Sequence, residues 1–170
     1  TIFSALDVHV TVVEPRETML DFIDRELIED FTHQLRDRGI VIRFGRKAEK
    51  VSKRPGGGCE IDMEDGRVIR SDIVLFAAGR MGATPALNLD ACGLETDHRG
   101  RLSVDPETFQ TKQPHIYAAG DVIGFPSLAS TSMEQGRIAG CHALGRAAHA
   151  PPDYFPYGIY SVPEISSVGL

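Results

Sequence analysis

Val8-His9-Val10-Thr11-Val12-Val13-Glu14-Pro15 is the stretch on which the fold of this 170-residue chain turns. β-Branched residues dominate it, which marks a strand, and Pro15 closes it because proline has no N–H to give a sheet. The tip of the strand is acidic. In a βαβ unit that binds a dinucleotide, a carboxylate at that tip accepts hydrogen bonds from the adenosine ribose hydroxyls, which makes Glu14 a candidate cofactor contact. Arg16, two residues on, is placed to neutralise a 2′-phosphate. Taken alone, Glu14 reads better as a surface side chain ending a strand, and Arg16 equally well as a solvated side chain in a turn.

Upstream, Ile2, Phe3, Ala5 and Leu6 are spaced like one face of a helix. The glycine loop of a dinucleotide fingerprint belongs about 20 residues before the acidic tip, ahead of Thr1. The chain is therefore expected to open inside the helix that such a loop begins, with the remainder of the same polypeptide as its missing partner. Downstream, Asp24 reads as an N-cap and Leu27, Phe31 and Leu35 recur every four residues. Arg36 and Arg38 precede a stop at Gly39. Ile40-Val41-Ile42 follows as a short buried strand. Val51, a Pro55-Gly56-Gly57-Gly58 turn, alternating Cys59-Ile61-Met63, an Asp65-Gly66 turn and Val68-Ile69 spell an antiparallel meander. Ile73-Val74-Leu75-Phe76-Ala77 is apolar at every position, the pattern of a strand covered on both faces. Strand, helix, strand, meander and buried strand together make an α/β nucleotide-binding layout.

Residues 81–113 lose periodicity and predict loops with one or two short strands. Ile116-Tyr117-Ala118-Ala119 predicts another short buried strand. Ser127 to Leu144 predicts a helix whose small residues, Ala129, Gly136, Ala139, Gly140 and Ala143, form an inner face. The prolines between His149 and Pro156 predict a linker, and Gly158 to Leu170 a new β-like stretch.

Composition limits the function. Eighteen basic and 24 acidic residues give a net charge of −6 with no basic block, which argues against nucleic acid or an anionic membrane surface as partner. The apolar run from Ile73 to Ala78 is far below the roughly 18 residues of a membrane span. Cys59, Cys92 and Cys141 are odd in number and widely spaced, so neither a disulfide framework nor a zinc site is expected. No signal-peptide order opens the chain, and a soluble, cytoplasmic protein is expected. His9, His33, His98, His115, His142 and His149 show no ligand spacing, and no metal site is expected.

Two further signals sit at strand ends, where open α/β sheets bind ligands. Gly79-Arg80 follows the apolar run; the glycine permits close backbone approach and the arginine supplies charge, although a glycine after a strand is usually only a turn. More specific is Thr111-x-x-Pro114-x-Ile116-Tyr117-Ala118-Ala119-Gly120-Asp121-Val122-Ile123-Gly124, a strand delivering a carboxylate into a glycine-flanked loop. The helix that begins near Ser127 then offers free backbone N–H groups. Hydroxyls for the carboxylate and an electron-rich ring for the helix end describe the ligand.

The run from Thr111 to Gly124 resembles the second FAD motif of the flavoprotein disulfide reductase family (pyridine nucleotide-disulfide oxidoreductases), and Val74 to Arg80 resembles the strand leading to that family's Gly-Arg pair. Gly79-Arg80-x-Gly82-x-Thr84, Gly124-Phe125-Pro126-Ser127-Leu128-Ala129-Ser130, Gln135-Gly136-Arg137, Gly158-Ile159-Tyr160 and Pro163-Glu164-Ile165-Ser166-Ser167-Val168-Gly169 are most similar to its soluble, Si-specific NAD(P) transhydrogenase branch.

The resemblance implies a partial dinucleotide-binding (Rossmann-like) domain with an antiparallel meander, followed by the C-terminal part of an FAD-binding domain. The implied bounds are 1–80 for NAD(P), 81–148 for FAD, and 149–170 for a linker and the start of a dimer-interface domain. It implies that Glu14, Arg16, Gly79 and Arg80 line the NAD(P) path, that Asp121 binds a ribityl hydroxyl of FAD, and that Leu128, Ala129 and Ser130 face the flavin. No catalytic side chain is identified. The implied activity is hydride transfer between NADPH and NAD through flavin in a homo-oligomeric parent, with the 170 residues alone expected to be inactive. Dihydrolipoamide dehydrogenase, another disulfide reductase, or a non-catalytic nucleotide-binding module are the alternatives. Glu14 favours NAD, which leaves the nucleotide preference open.

Overall fold

The computed structural model describes residues 1–149 and 154–169. Residues 150–153 of the linker expected at 149–156, and Leu170, lie outside the described residues. The chain divides into two compact units, Thr1–Phe76 with Pro156–Leu170, and Ala77–Phe155.

In the first unit a single helical turn, α1 (Ile2–Ala5), precedes β1 (Thr11–Glu14), α2 (Arg25–Asp37) and β2 (Val41–Phe44). β1 and β2 pair in parallel, with Thr11 opposite Val41 and Glu14 opposite Phe44. Two parallel strands need a crossover, and α2 supplies it. The Asp24 carboxylate accepts the Glu26 N–H at 2.9 Å, which satisfies one of the orphan donors of the first turn. Gly39, at φ +80, ends the helix in the left-handed conformation that glycine tolerates.

The buried face of α2 is Ile28, Phe31, Thr32 and Leu35. Leu27, expected on that face, is 45% exposed. Spacing by four identifies a stripe but drifts around a helix of 3.6 residues per turn, and Ile28 is the residue turned inward. This face packs with Ile23, Ile40 and Ile165, the last from a closing hairpin of β6 (Pro156–Ile159) and β7 (Ile165–Val168).

The expected meander forms as β3 (Ala48–Lys53), β4 (Cys59–Met63) and β5 (Val68–Ser71), antiparallel and in that order. The apolar run after it does not form the expected buried strand. Ile73, Leu75 and Phe76 are 84%, 73% and 83% exposed, and no described residue pairs with them. A strand apolar on both faces is stable only between neighbouring strands and under covering layers; hydrophobicity records that need without supplying the neighbours.

The second unit is built of turns. Short 3-10 segments cover Pro85–Leu87, Leu89–Cys92 and Gly120–Ile123, followed by α3 (Ala129–Ala143). The strands expected within 81–113 and at 116–119 are reduced to single bridges, Thr96 with Leu102 and Gln110 with Tyr117. Leu94, Leu102 and Ala118 form one small core, and Phe109, Ile138 and Ala139 another. The inner face of α3 is Thr131, Gln135, Ile138 and Ala139. Gly136 and Gly140, expected to permit close packing, face open space. No described helix is long and apolar enough to cross a membrane, and no described cluster of His, Cys, Asp and Glu could hold a metal ion.

Candidate functional site

Glu14 ends β1 at the carboxyl edge of the parallel pair, and Arg16 folds back on it. The Arg16 backbone N–H and Nε both donate to Glu14 Oε1, at 3.0 and 2.9 Å, and Nη2 donates to Oε2 at 3.2 Å. Nη1 reaches the Asp21 carboxylate at 3.0 Å. Hydrogen bonding from Arg16 holds the Glu14 carboxyl below the ordinary carboxylate range, and Glu14 in turn raises Arg16. Glu14 is thus an ionised acceptor whose charge is already balanced, with lone-pair capacity left for a hydroxyl. Asp21 as a second partner of Arg16 was not foreseeable from the sequence, since no regular element sets a five-residue separation in a loop.

In the second unit, Gly79 takes φ +91 and Arg80 extends to Asp121, where Nη1 donates to Oδ2 at 2.5 Å. Two candidates 41 residues apart in sequence therefore form one ion pair. The pair is solvent-accessible, with side chains 73% and 50% exposed, so it orients the two groups more than it stabilises the fold.

Asp121 lies in the 3-10 turn Gly120–Ile123. Gly120, at φ +81, donates its N–H to the buried Gln135 Oε1 at 2.7 Å. A Cβ there would stand 3.1 Å from Ser132 Oγ. Gln135 entered the sequence reading only as part of a motif; in the structure it ties the Asp121 turn to α3.

α3 begins at Leu128, whose side chain provides no cap. The Thr131 and Ser132 hydroxyls donate backwards to the Leu128 carbonyl at 2.9 and 2.8 Å, and Thr131 also donates to the Pro126 carbonyl at 2.8 Å. The N–H groups of Ala129 and Ser130 consequently have no hydrogen-bond acceptor among the described residues. Together with the helix dipole they present partial positive charge.

Residues 1–136 match the family described as pyridine nucleotide-disulphide oxidoreductase. The chain belongs to this family. It is 47% identical over 169 residues to a soluble pyridine nucleotide transhydrogenase of Mycobacterium tuberculosis (strain ATCC 25177 / H37Ra), covering 99% of this chain and 36% of that protein. It is 44% identical over 176 aligned positions to the soluble pyridine nucleotide transhydrogenase of Escherichia coli O9:H4 (strain HS), with the same coverage. Among solved structures, LpdA from Mycobacterium tuberculosis superposes with a TM-score of 0.90 at 31% identity, over 99% of this chain and 36% of that one. The HOCl-induced flavoprotein disulfide reductase RclA from Escherichia coli does so at 0.88 and 27%, over 99% and 39%. The chain thus spans little more than a third of the relatives it matches. The Asp121 turn and the uncapped start of α3 fall inside the residues that match the family.

Proposed function

We propose that the protein carrying this chain is an FAD-dependent pyridine nucleotide transhydrogenase that passes hydride between NADPH and NAD. The observation that carries the reading is the Glu14–Arg16 pair. An enzyme that must accept both nucleotides needs a carboxylate for the ribose hydroxyls without its repulsion of a 2′-phosphate, and an internally neutralised carboxylate supplies that. Arg16 can stay on Glu14 for NAD or turn to the phosphate of NADP. The names of the relatives quoted above support the same reading.

Flavin, when bound, accepts and returns the hydride. The chain's own residues bind and orient. Asp121 takes a ribityl hydroxyl, steadied by Arg80, and the free Ala129 and Ser130 N–H groups stabilise negative charge on the ring edge. Gly79 lets the backbone approach the cofactor. The cytoplasm and a homodimer are the proposed setting, and both rest on the family resemblance.

The test is hydride transfer from NADPH to thio-NAD by the flavin-loaded full-length protein; a yellow protein that cannot perform it refutes the reading. Arg16→Ala is expected to weaken NADPH binding at least tenfold while leaving NADH within about twofold, and to return the Glu14 titration upward toward the ordinary carboxylate value. Hydrogen bonding from Arg16 gives Glu14 its lowered pKa, so the contribution of the pair to stability is present above the unfolded value and is lost as pH falls through the folded one.

A second variant separates stability from binding. Leu128 has the extended backbone of an N-cap, φ −119 and ψ 147. Leu128→Asp is expected to cap α3 and raise stability by about 1 kcal/mol, or about 2–4 °C in Tm. Flavin affinity should fall, because the new carboxylate occupies the donors and repels negative charge. Calorimetry and bound-flavin absorbance read the two effects.

A further inference from the structure

Away from Glu14 and Arg16, the first unit has a cavity of about 250 Å³ lined by Arg43 of β2, by Arg46 just beyond it, and by Met63, Asp65, Arg67, Val68 and Ile69 of the β4–β5 hairpin. Three guanidiniums and one carboxylate line it, a local charge of 3 − 1 = +2 on a chain whose net charge is −6.

Asp65 is one carboxylate shared between two of the three arginines. Its Oδ1 accepts the Arg67 backbone N–H at 3.1 Å and shapes the turn at Gly66, which has φ +78. Its Oδ2 forms ion pairs with Arg46 Nε at 3.5 Å and with Arg67 Nε at 3.7 Å, neither of them a hydrogen bond. Arg43 makes no side-chain hydrogen bond or ion pair among the described residues. Three planar forks therefore line one cavity around a single carboxylate, Arg43 with no partner among the described residues and Arg46 and Arg67 sharing Asp65. Such forks match the oxygens of a tetrahedral phosphate bidentately, and a dianion gains most from a +2 surround. Buried Met63 and half-buried Ile69 give the cavity an apolar wall, which suits a phosphate carried on a small organic group.

We propose that Arg43, Arg46 and Arg67 form a binding site for a phosphomonoester dianion. The site stands on these residues whether or not Glu14 and Arg16 hold a nucleotide. Two sources share the chemistry, a free phosphorylated metabolite and the 2′-phosphate of NADP. The Arg46 backbone N–H donates to the Glu14 carbonyl at 3.3 Å, so the cavity adjoins the end of the sheet where the nucleotide would lie.

The experiment is calorimetric titration of the full-length protein with inorganic phosphate, NADP⁺ and NAD⁺, of which NAD⁺ carries no phosphomonoester. Saturable phosphate binding is expected, weakened at least fivefold by Arg43→Gln and abolished in Arg43→Gln/Arg67→Gln. Arg43→Gln removes no hydrogen bond or ion pair, so its Tm should be unchanged, and lost binding cannot be attributed to unfolding. If the variants also weaken NADP⁺ but not NAD⁺, the source is the nucleotide; if they weaken phosphate alone, it is a free metabolite. Absence of saturable phosphate binding, or equal binding by wild type and both variants, overturns the site. Failure of thio-NAD reduction with phosphate binding intact would overturn the transhydrogenase reading and leave this one standing.

Discussion

Asp121→Ala in the full-length protein is expected to lower FAD affinity by about 10- to 150-fold, the equivalent of one hydrogen bond to a charged group at about 1.5–3 kcal/mol. The carboxylate sits in a turn fixed on one side by the Gly120 N–H on Gln135 and on the other by Arg80. Removing it deletes the acceptor proposed for the ribityl hydroxyl and leaves Arg80 without its ion-pair partner. Asp121→Asn keeps an oxygen acceptor and should lose less. Arg80→Gln separates direct from indirect action: if Asp121 contacts flavin itself, losing Arg80 costs only its orientation, within a few-fold. Flavin released on dilution, followed by its fluorescence, gives all three values. Full flavin retention by Asp121→Ala would remove the residue from the site.

Phe31→Ala is expected to destabilise the first unit by about 3–5 kcal/mol, a large part of the roughly 5–15 kcal/mol that holds a typical domain. Phe31 is 5% exposed and packs with Ile23, Ile28, Leu35, Ile40 and Ile165, so truncation leaves a cavity walled by side chains from α2, its flanks and the closing hairpin. Leu27→Ala, on the same helix but exposed, should change stability by less than about 0.5 kcal/mol. Urea unfolding of the pair of variants measures the contrast. Equal losses would mean that the helix face runs through Leu27 after all.

That contrast marks the limit of periodicity. Phe31 and Leu35 were legible because residues four apart share a helix face, and Asp24 because a carboxylate before an apolar stripe caps it. Leu27 and Ile28 are both apolar and adjacent, and only the packing partner chooses between them. The run at 73–77 shows the same limit more strongly: alternation and hydrophobicity describe a strand's two faces, but its ladder is made by other strands.

The candidate site divides in the same way. Glu14, Arg16, Arg80, Asp121 and the start of α3 were each nameable from local pattern, because strand tips, glycine turns and helix N-termini are local features. Their partners were not. Arg16 between Glu14 and Asp21, Arg80 on Asp121, and Gln135 under Gly120 are contacts between segments whose sequence separation carries no periodic signal. The three-arginine cavity is of the same kind, since β2 and the β4–β5 hairpin meet there only once folded.

The sequence by itself determined the α/β order, the α2 stripe, the meander and which residue types end each strand, because these follow from the periods of helix and strand and from turn chemistry over a few residues. Only the tertiary structure decided which charges neutralise one another, which arginines share one carboxylate and which apolar residues are covered. Those depend on distances between segments far apart in the chain, and Coulomb attraction and burial act on distance in space.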